Sequence, residues 1–106
     1  MTLPVKNIFA DLPAHYSAEE FLTLFEGRSV RIERIVSRGQ SSPAGFWYDQ
    51  AQEEWVMVLR GDAALEFASG EIVEMAAGDY LAIPRHVKHR VARTSDETIW
   101  LALHVS

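Results

Sequence analysis

EWVMVLRGDAALEFASGEIVEMAAGDYLAIP, residues 54–84, decides the fold. Apolar and polar side chains alternate in short runs, and the runs are separated by Gly-Asp and Ser-Gly pairs. Alternation is typical of half-buried strands, and such pairs favour tight turns. The segment therefore predicts consecutive β-hairpins, with strands over Glu54–Arg60, Ala63–Phe67, Ile72–Met75 and Tyr80–Ile83.

The flanking sequence extends this pattern on both sides. Strands are predicted over Val30–Val36, Phe46–Asp49, His89–Arg93 and Thr98–Val105, which brings the total to about eight short strands. One helix is predicted before them over Ser17–Glu26, because Ser17 and Glu20 form a capping box and Gly27 supplies a stop. Many short strands joined by tight turns, with one short helix, indicate an all-β sandwich or barrel.

Length and composition limit what kind of protein this is. With 106 residues and 12.0 kDa, the chain is expected to be one domain, residues 1–28 being an N-terminal extension with the helix and 29–106 the barrel. A net charge of -5 argues against nucleic acid as a partner. Because the sequence contains no cysteine, a bound metal would need nitrogen and oxygen ligands.

The sequence predicts a cytoplasmic protein. The first residues lack the basic start and apolar core of a signal peptide. No stretch approaches the roughly 20 apolar residues that cross a bilayer, so no membrane interaction is expected.

Two spacings carry a family resemblance. Glu54 precedes Gly61 with six residues between them, and Gly78 precedes Pro84 with five residues between them and then His89. This resembles the cupin family, whose motifs read G-x5-H-x-H-x3-4-E-x6-G and G-x5-P-x-G-x2-H-x3-N. Four positions depart from the motifs: Trp47 and Asp49 stand at the two histidine positions of the first, and His86 and Arg93 replace Gly and Asn in the second.

The resemblance implies a single-domain cupin jelly-roll β-barrel that holds a divalent transition metal. Carried over to this sequence, it implies Asp49, Glu54 and His89 as metal ligands, with His86 as a possible fourth. Such a set suits Zn, Fe, Mn or Ni, and ligand type alone does not decide among them.

Other readings of the same side chains stay open. If His89 faces inward on a regular strand, Arg93 does too, where it would bind a substrate anion or pair with the carboxylates in place of a metal. Trp47, Tyr48 and Tyr80 either pack the core or contact a small ligand. His86 or Tyr48 would serve as general acid or base. His104 is interpreted as a core histidine with its hydrogen bonds satisfied.

Three functions follow as hypotheses. The first is a metal-dependent cupin enzyme, of oxygenase or isomerase type, acting on a small polar organic molecule. The second is a non-catalytic module that binds a sugar or an organic acid, and the third is a metal-free sugar epimerase with a histidine base and a tyrosine acid. Because small barrels often pair through edge strands, a homodimer is expected.

Overall fold

A computed structural model describes residues 2–14 and 18–106 of the chain. Within these residues, eight strands form two antiparallel sheets, which confirms the prediction of an all-β fold. The larger sheet has the order β1-β2-β8-β3-β6 and the smaller one β5-β4-β7. The strands are β1 Glu20–Glu26, β2 Val30–Ser37, β3 Glu53–Arg60, β4 Asp62–Phe67, β5 Ile72–Ala76, β6 Tyr80–Ile83, β7 His89–Thr94 and β8 Thr98–Val105.

The core lies between the two sheets. Alternate side chains of the large sheet face β4, β5 and β7, and the strand pairing sets which ones they are. In β8, Trp100 lies opposite Val58 and Ala102 opposite Val56. Together with Leu65 and Met75 of the small sheet, among others, these residues form one buried apolar cluster. The last strand, β8, is central because it pairs with both β2 and β3.

The predicted N-terminal helix is wrong. Residues Glu20–Glu26 form β1, an antiparallel partner of β2, and Ser17 lies outside the described residues. The apolar side chains from Phe21 to Phe25 fit a helical stripe, but a bulge between Thr23 and Phe25 lets the same residues form a strand. Hydrogen bonds to the free edge of β2 outweigh the local helix preference. Gly27, expected to stop a helix, instead donates its N–H to the Val30 carbonyl (2.8 Å) in the turn between β1 and β2.

Arginines attach the N-terminal segment to the large sheet: Arg38 donates to the Pro13 carbonyl (2.8 Å), Arg60 lies over the Phe9 ring, and Arg34 makes the most contacts. Arg34 of β2 is 2% exposed. Its Nη1 donates to the carbonyls of Ile8 (3.0 Å) and Ala10 (2.8 Å), and its Nη2 pairs with the Glu20 carboxylate (2.8 Å). A buried guanidinium needs such partners. Arg34 therefore fixes both the N-terminal segment and the start of β1.

The turn between β3 and β4 requires glycine. Gly61 has φ +80°, and a Cβ there would overlap the carbonyl oxygen of Glu97 and the Ser95 hydroxyl. Both the backbone conformation and the close approach exclude a side chain.

The described part of the chain contains no helix that could span a membrane.

Candidate functional site

A cavity lies between the sheets, next to the apolar core. Apolar side chains from both sheets, among them Ile35 and Leu65, form much of its wall. Its polar lining residues come from six segments of the chain. They are Glu19, Glu33, Tyr48, Gln50, Glu54, His89 and His104.

Glu54 and His89 form the closest contact across the cavity. His89 Nε2 lies 3.3 Å from Glu54 Oε1, and the two side chains are only 7% and 10% exposed. Glu54 comes from β3, and His89 comes from the start of β7 in the facing sheet. The fold thus brings together two of the residues that the sequence singled out.

The tautomer and the charge of His89 follow from its neighbours. His89 Nδ1 lies 2.9 Å from the Val87 carbonyl, so Nδ1–H donates to it and Nε2 faces Glu54. Burial lowers the pKa of His89, but contact with Glu54 and the Val87 hydrogen bond together raise the pKa above its ordinary value of 6.5. Proton affinity and position therefore suit His89 for proton transfer near neutral pH.

A second pair, Glu33 and His104, adjoins the first. His104 Nε2 lies 2.9 Å from Glu33 Oε1 and 4.0 Å from Glu54 Oε2. The His104 side chain is 4% exposed, and its Nδ1 is buried with no hydrogen-bond partner. His104 therefore lines the cavity, and only one of its two ring nitrogens is paired, unlike the satisfied core histidine expected from sequence.

Glu33, like Glu19 and Gln50, lines the cavity but was not predicted from the sequence. The alternation of Val30 and Ile32 with Arg31 and Glu33 suggests that the charged pair faces solvent. The pairing shows the reverse, because Arg31 lies opposite His104, whose side chain faces the cavity. One feature of the sequence indicated that Glu33 could face inward. β8 is apolar on both faces, so its neighbour β2 is expected to have two partly buried faces.

Tyr48 lies beside His89 in a segment that does not form a regular strand. The predicted strand Phe46–Asp49 is reduced to one bridge, in which Tyr48 N–H donates to the His89 carbonyl at 2.7 Å. The two rings stack at 5.5 Å between centroids. Burial raises the pKa of Tyr48, and the charges of Glu19, Glu54 and Glu33 raise it further. Its hydroxyl therefore keeps its proton over a wider pH range than a free tyrosine.

Asp49 and His86 form a separate, exposed pair. His86 Nδ1 lies 2.8 Å from Asp49 Oδ1, and the side chains are 65% and 43% exposed. Neither residue lines the cavity. His86 has φ +64°, which explains why glycine is usual at this motif position. The structure thus divides the four predicted ligands into two pairs.

The histidine positions of the first motif are better matched by Tyr48 and Gln50. If three residues instead of four separate the second histidine position from Glu54, Tyr48 and Gln50 replace the two histidines. Both line the cavity, whereas Trp47 and Asp49 do not. The motif allows either spacing, so the sequence alone did not decide between them.

Arg93 does not reach the cavity. Leu65 pairs with Val91 and Ala64 with Arg93, so the register shift leaves one extra residue between them in β7 and reverses the face expected for Arg93. Its Nη1 and Nη2 pair with Asp62 (2.5 Å) and Glu74 (2.6 Å) on the outer surface.

The two aromatic residues predicted to contact a ligand also lie outside the cavity. Trp47 is half-buried. Tyr80 is 67% exposed, and its ring lies 5.4 Å from that of Trp55. Tyr48 is therefore the only one of the three predicted aromatic contacts that lines the cavity.

The donor atoms fit a metal ion only in part. Within residues 2–14 and 18–106, no group of three His, Cys, Asp or Glu side chains is arranged to hold one. Glu54 and His89 retain metal-binding chemistry, and Gln50, which lines the same cavity, has an Oε1 that is buried without a partner. A metal held by Glu54, His89 and Gln50 would have an amide oxygen, a weaker donor, as its third ligand.

Comparison with known proteins places this geometry in context. A family model described as "Cupin domain" matches residues 32–105. No curated protein matches the chain. A crystal structure from Ralstonia eutropha JMP134, described as a "putative mannose-6-phosphate isomerase", is 45% identical, with a TM-score of 0.93 over 98% of this chain and 99% of that one.

More distant structures share the fold alone. A cupin superfamily protein from Desulfitobacterium hafniense DCB-2 is 17% identical, with a TM-score of 0.76 over 89% of this chain and 83% of that one. An RmlC-like cupin protein from Desulfovibrio desulfuricans is 15% identical, with a TM-score of 0.77 over 97% of each chain.

Proposed function

Since this chain belongs to the cupin family, we propose that its cavity binds a small polar organic molecule and transfers a proton on it, as an isomerase does. The observation that carries the proposal is the buried contact between Glu54 and His89 (3.3 Å) in a cavity that also presents Tyr48. A buried acid–base pair in a cavity is a common arrangement for proton transfer. The isomerase name of the Ralstonia relative agrees with this reaction type.

The pair supplies both halves of an isomerisation. The Glu54 carboxylate would accept a proton from the carbon next to a carbonyl, while protonated His89 would donate from Nε2 to the carbonyl oxygen. The Glu54 proton would then go to the neighbouring carbon, and His89 would recover its proton from the adjacent hydroxyl, so no proton is gained or lost overall. Tyr48, protonated over a wide pH range, would donate a hydrogen bond to the substrate.

A divalent metal in the same cavity is the second candidate. Its support is the buried, unpartnered Oε1 of Gln50 in a cavity shared with Glu54 and His89. These three residues would hold the ion, which when bound would polarise a substrate carbonyl. Asp49 and His86 remain sequence predictions as ligands, and Zn, Fe, Mn and Ni all remain candidates.

Two other hypotheses from the sequence use the same cavity. A non-catalytic binding module needs the cavity but not the proton-transfer pair. A metal-free epimerase would use His89 as base and Tyr48 as acid, and the stacking of the two rings favours this assignment over one with His86.

The decisive experiment is an isomerisation assay in D2O. Protein treated with a chelator is incubated with aldoses and ketoses of three to six carbons, with and without an amino group, and NMR follows interconversion and deuterium uptake at carbon. Glu54→Gln and His89→Gln should each lower the rate at least about 100-fold, the usual contribution of a general acid or base. Glu74→Gln, which changes an exposed carboxylate (70%), is the matched control.

The outcomes separate the candidates. Activity without metal, lost in both variants, supports the lead proposal. Activity only after metal is restored, with metal content lost in Gln50→Ala as well, favours the metal centre. Saturable ligand binding without any deuterium uptake would leave the binding module.

A homodimer in the cytoplasm is the assembly that we propose. β1 is an edge strand of the large sheet. It exposes Phe21, Leu22, Leu24 and Phe25 by 42% to 58%, and such an edge is normally covered. A second copy of the chain is the proposed cover. Sedimentation should give about twice 12.0 kDa, and Phe25→Glu should give a monomer; a monomeric wild type would contradict the proposal.

A further inference from the structure

The charges that line the cavity are unequal. Three carboxylates, of Glu19, Glu33 and Glu54, face two histidines, and the lining contains no Lys or Arg. Three negative charges thus meet at most two positive ones. Arg31 does not line the cavity, but its Nε lies 3.6 Å from Glu33 Oε2; because its side chain is 36% exposed, solvent screens this charge.

Glu54 keeps an unused acceptor in the cavity. Its side chain is nine-tenths buried, and the one described polar neighbour of its Oε1 is His89 Nε2 at 3.3 Å, a contact that falls short of good hydrogen-bond geometry. A buried carboxylate oxygen without a hydrogen bond carries a large desolvation cost. A donor on a bound ligand would remove that cost.

The walls add a second feature that attracts positive charge. The rings of Phe21, Tyr48 and Trp100 line the same cavity as the carboxylates. Aromatic faces attract organic cations, and more strongly when water is excluded. Carboxylates and aromatic rings in one cavity therefore favour the same charge on a ligand.

The volume limits the size of the enclosed group. The cavity measures about 70 Å³. One water needs roughly 10 to 15 Å³ by this measure, so about five water-sized groups fit. A hexose phosphate would not be enclosed in this volume, although part of a larger ligand would extend to the surface.

We propose that the cavity selects a small organic cation, a molecule that carries a protonated amine and no phosphate. The inference rests on the proposed function of the same cavity and names its substrate class. Phosphate is normally bound by Arg, Lys or a helix N-terminus. The cavity lining offers neither cation, and the described residues form no helix.

Three small probes test the charge preference and the exclusion of phosphate. They are 2-amino-1,3-propanediol, glycerol and glycerol 3-phosphate, which are cationic, neutral and anionic on one carbon skeleton. Each is titrated into isotope-labelled protein at pH 7, and NMR shifts of the His104 and Trp100 side chains report binding in the cavity. The amine should bind at least about 10-fold more tightly than glycerol, and glycerol 3-phosphate should not bind.

Variants assign the preference to the carboxylates. Glu33→Gln and Glu54→Gln should each lower affinity for the amine at least about 5-fold and leave that for glycerol within about 2-fold. Glu74→Gln, on the outer surface, should change neither. Circular dichroism and the unperturbed NMR signals of each variant verify folding.

Each other outcome overturns the inference. Equal binding of amine and glycerol, or tighter binding of the phosphate, would refute the charge class but leave the cavity as a ligand site. Failure of all three probes to shift the cavity signals would refute the amine preference as well. The proposed function stands or falls separately, on deuterium uptake in the isomerisation assay.

Discussion

Replacement of Arg34 by alanine should loosen the N-terminal segment and β1 from the rest of the large sheet and lower the free energy of unfolding. Arg34 Nη1 holds the carbonyls of Ile8 and Ala10, and Nη2 pairs with Glu20. A hydrogen bond to a charged group contributes about 1.5 to 3 kcal/mol, and removal of one partner of a buried pair costs about 3 to 5 kcal/mol. Because the Glu20 side chain is 35% exposed and would be rehydrated, we expect a loss at the lower end, about 3 kcal/mol.

Urea denaturation followed by fluorescence measures this loss, and hydrogen exchange locates it. Amides of the N-terminal segment and of β1 should exchange faster in Arg34→Ala, while those of β4 and β7 should keep their protection relative to global stability. Arg85→Ala is the matched control, because Arg85 pairs with Glu53 at 3.8 Å and both side chains are about half exposed or more. That pair should contribute about 0 to 1 kcal/mol. A loss below about 1 kcal/mol for Arg34→Ala would refute the anchoring role.

Four further predictions concern the site, its surroundings and the turn between β3 and β4. In metal-free protein, NMR titration should show the pKa of His89 above 6.5 in wild type and below 6.5 in Glu54→Gln. Burial has the largest influence on this pKa, and without the Glu54 carboxylate it outweighs the remaining hydrogen bond to Val87. An unchanged pKa in the variant would contradict the pairing of His89 with Glu54. Since the folded pKa is raised, the stability that this contact gives should be complete below pH 6.5 and disappear as pH rises through the folded pKa, as urea denaturation at several pH values would show. Gly61→Ala should lower the free energy of unfolding, measured by urea denaturation, by about 3 kcal/mol or more. Gly70→Ala is the control and should cost about 1 kcal/mol, because Gly70 also has a positive φ but its Cβ would meet no atom within 4 Å. Equal losses would show that the close approach at Gly61 is not decisive. Arg93→Ala should leave binding of the amine probe unchanged in NMR titration, and weaker binding would mean that Arg93 reaches the ligand after all.

The strands between Glu53 and Ile83 could be predicted because each is set locally. Gly61, Gly70 and Gly78 all have positive φ, so the turns are encoded in the residues that form them. β1 could not be predicted in this way. Its residues suit a helix equally well, and what makes them a strand is the edge of β2, a partner that the local sequence does not reveal.

The site was predicted in part for a similar reason. Glu54 and His89 follow from motif spacing, and the structure brings them together. Glu33 and His104 depend on which face of β2 and β8 is inward, and one bulge or one shift of register reverses that face. Arg93 shows the effect directly, because a single extra residue in β7 moves it from the cavity side to the outer surface.

The central position of β8 has a consequence for the order of folding. β2 pairs with β1 and β3 pairs with β6, but these two halves of the large sheet are joined only when Thr98–Val105 is in place between β2 and β3. Such non-local pairing makes folding slow. Trp100 and His104 enter the cavity on this same strand, so partly folded chains have no finished cavity. A ligand of the cavity therefore binds only the completed barrel and acts as a direct probe of how much of the protein has finished folding.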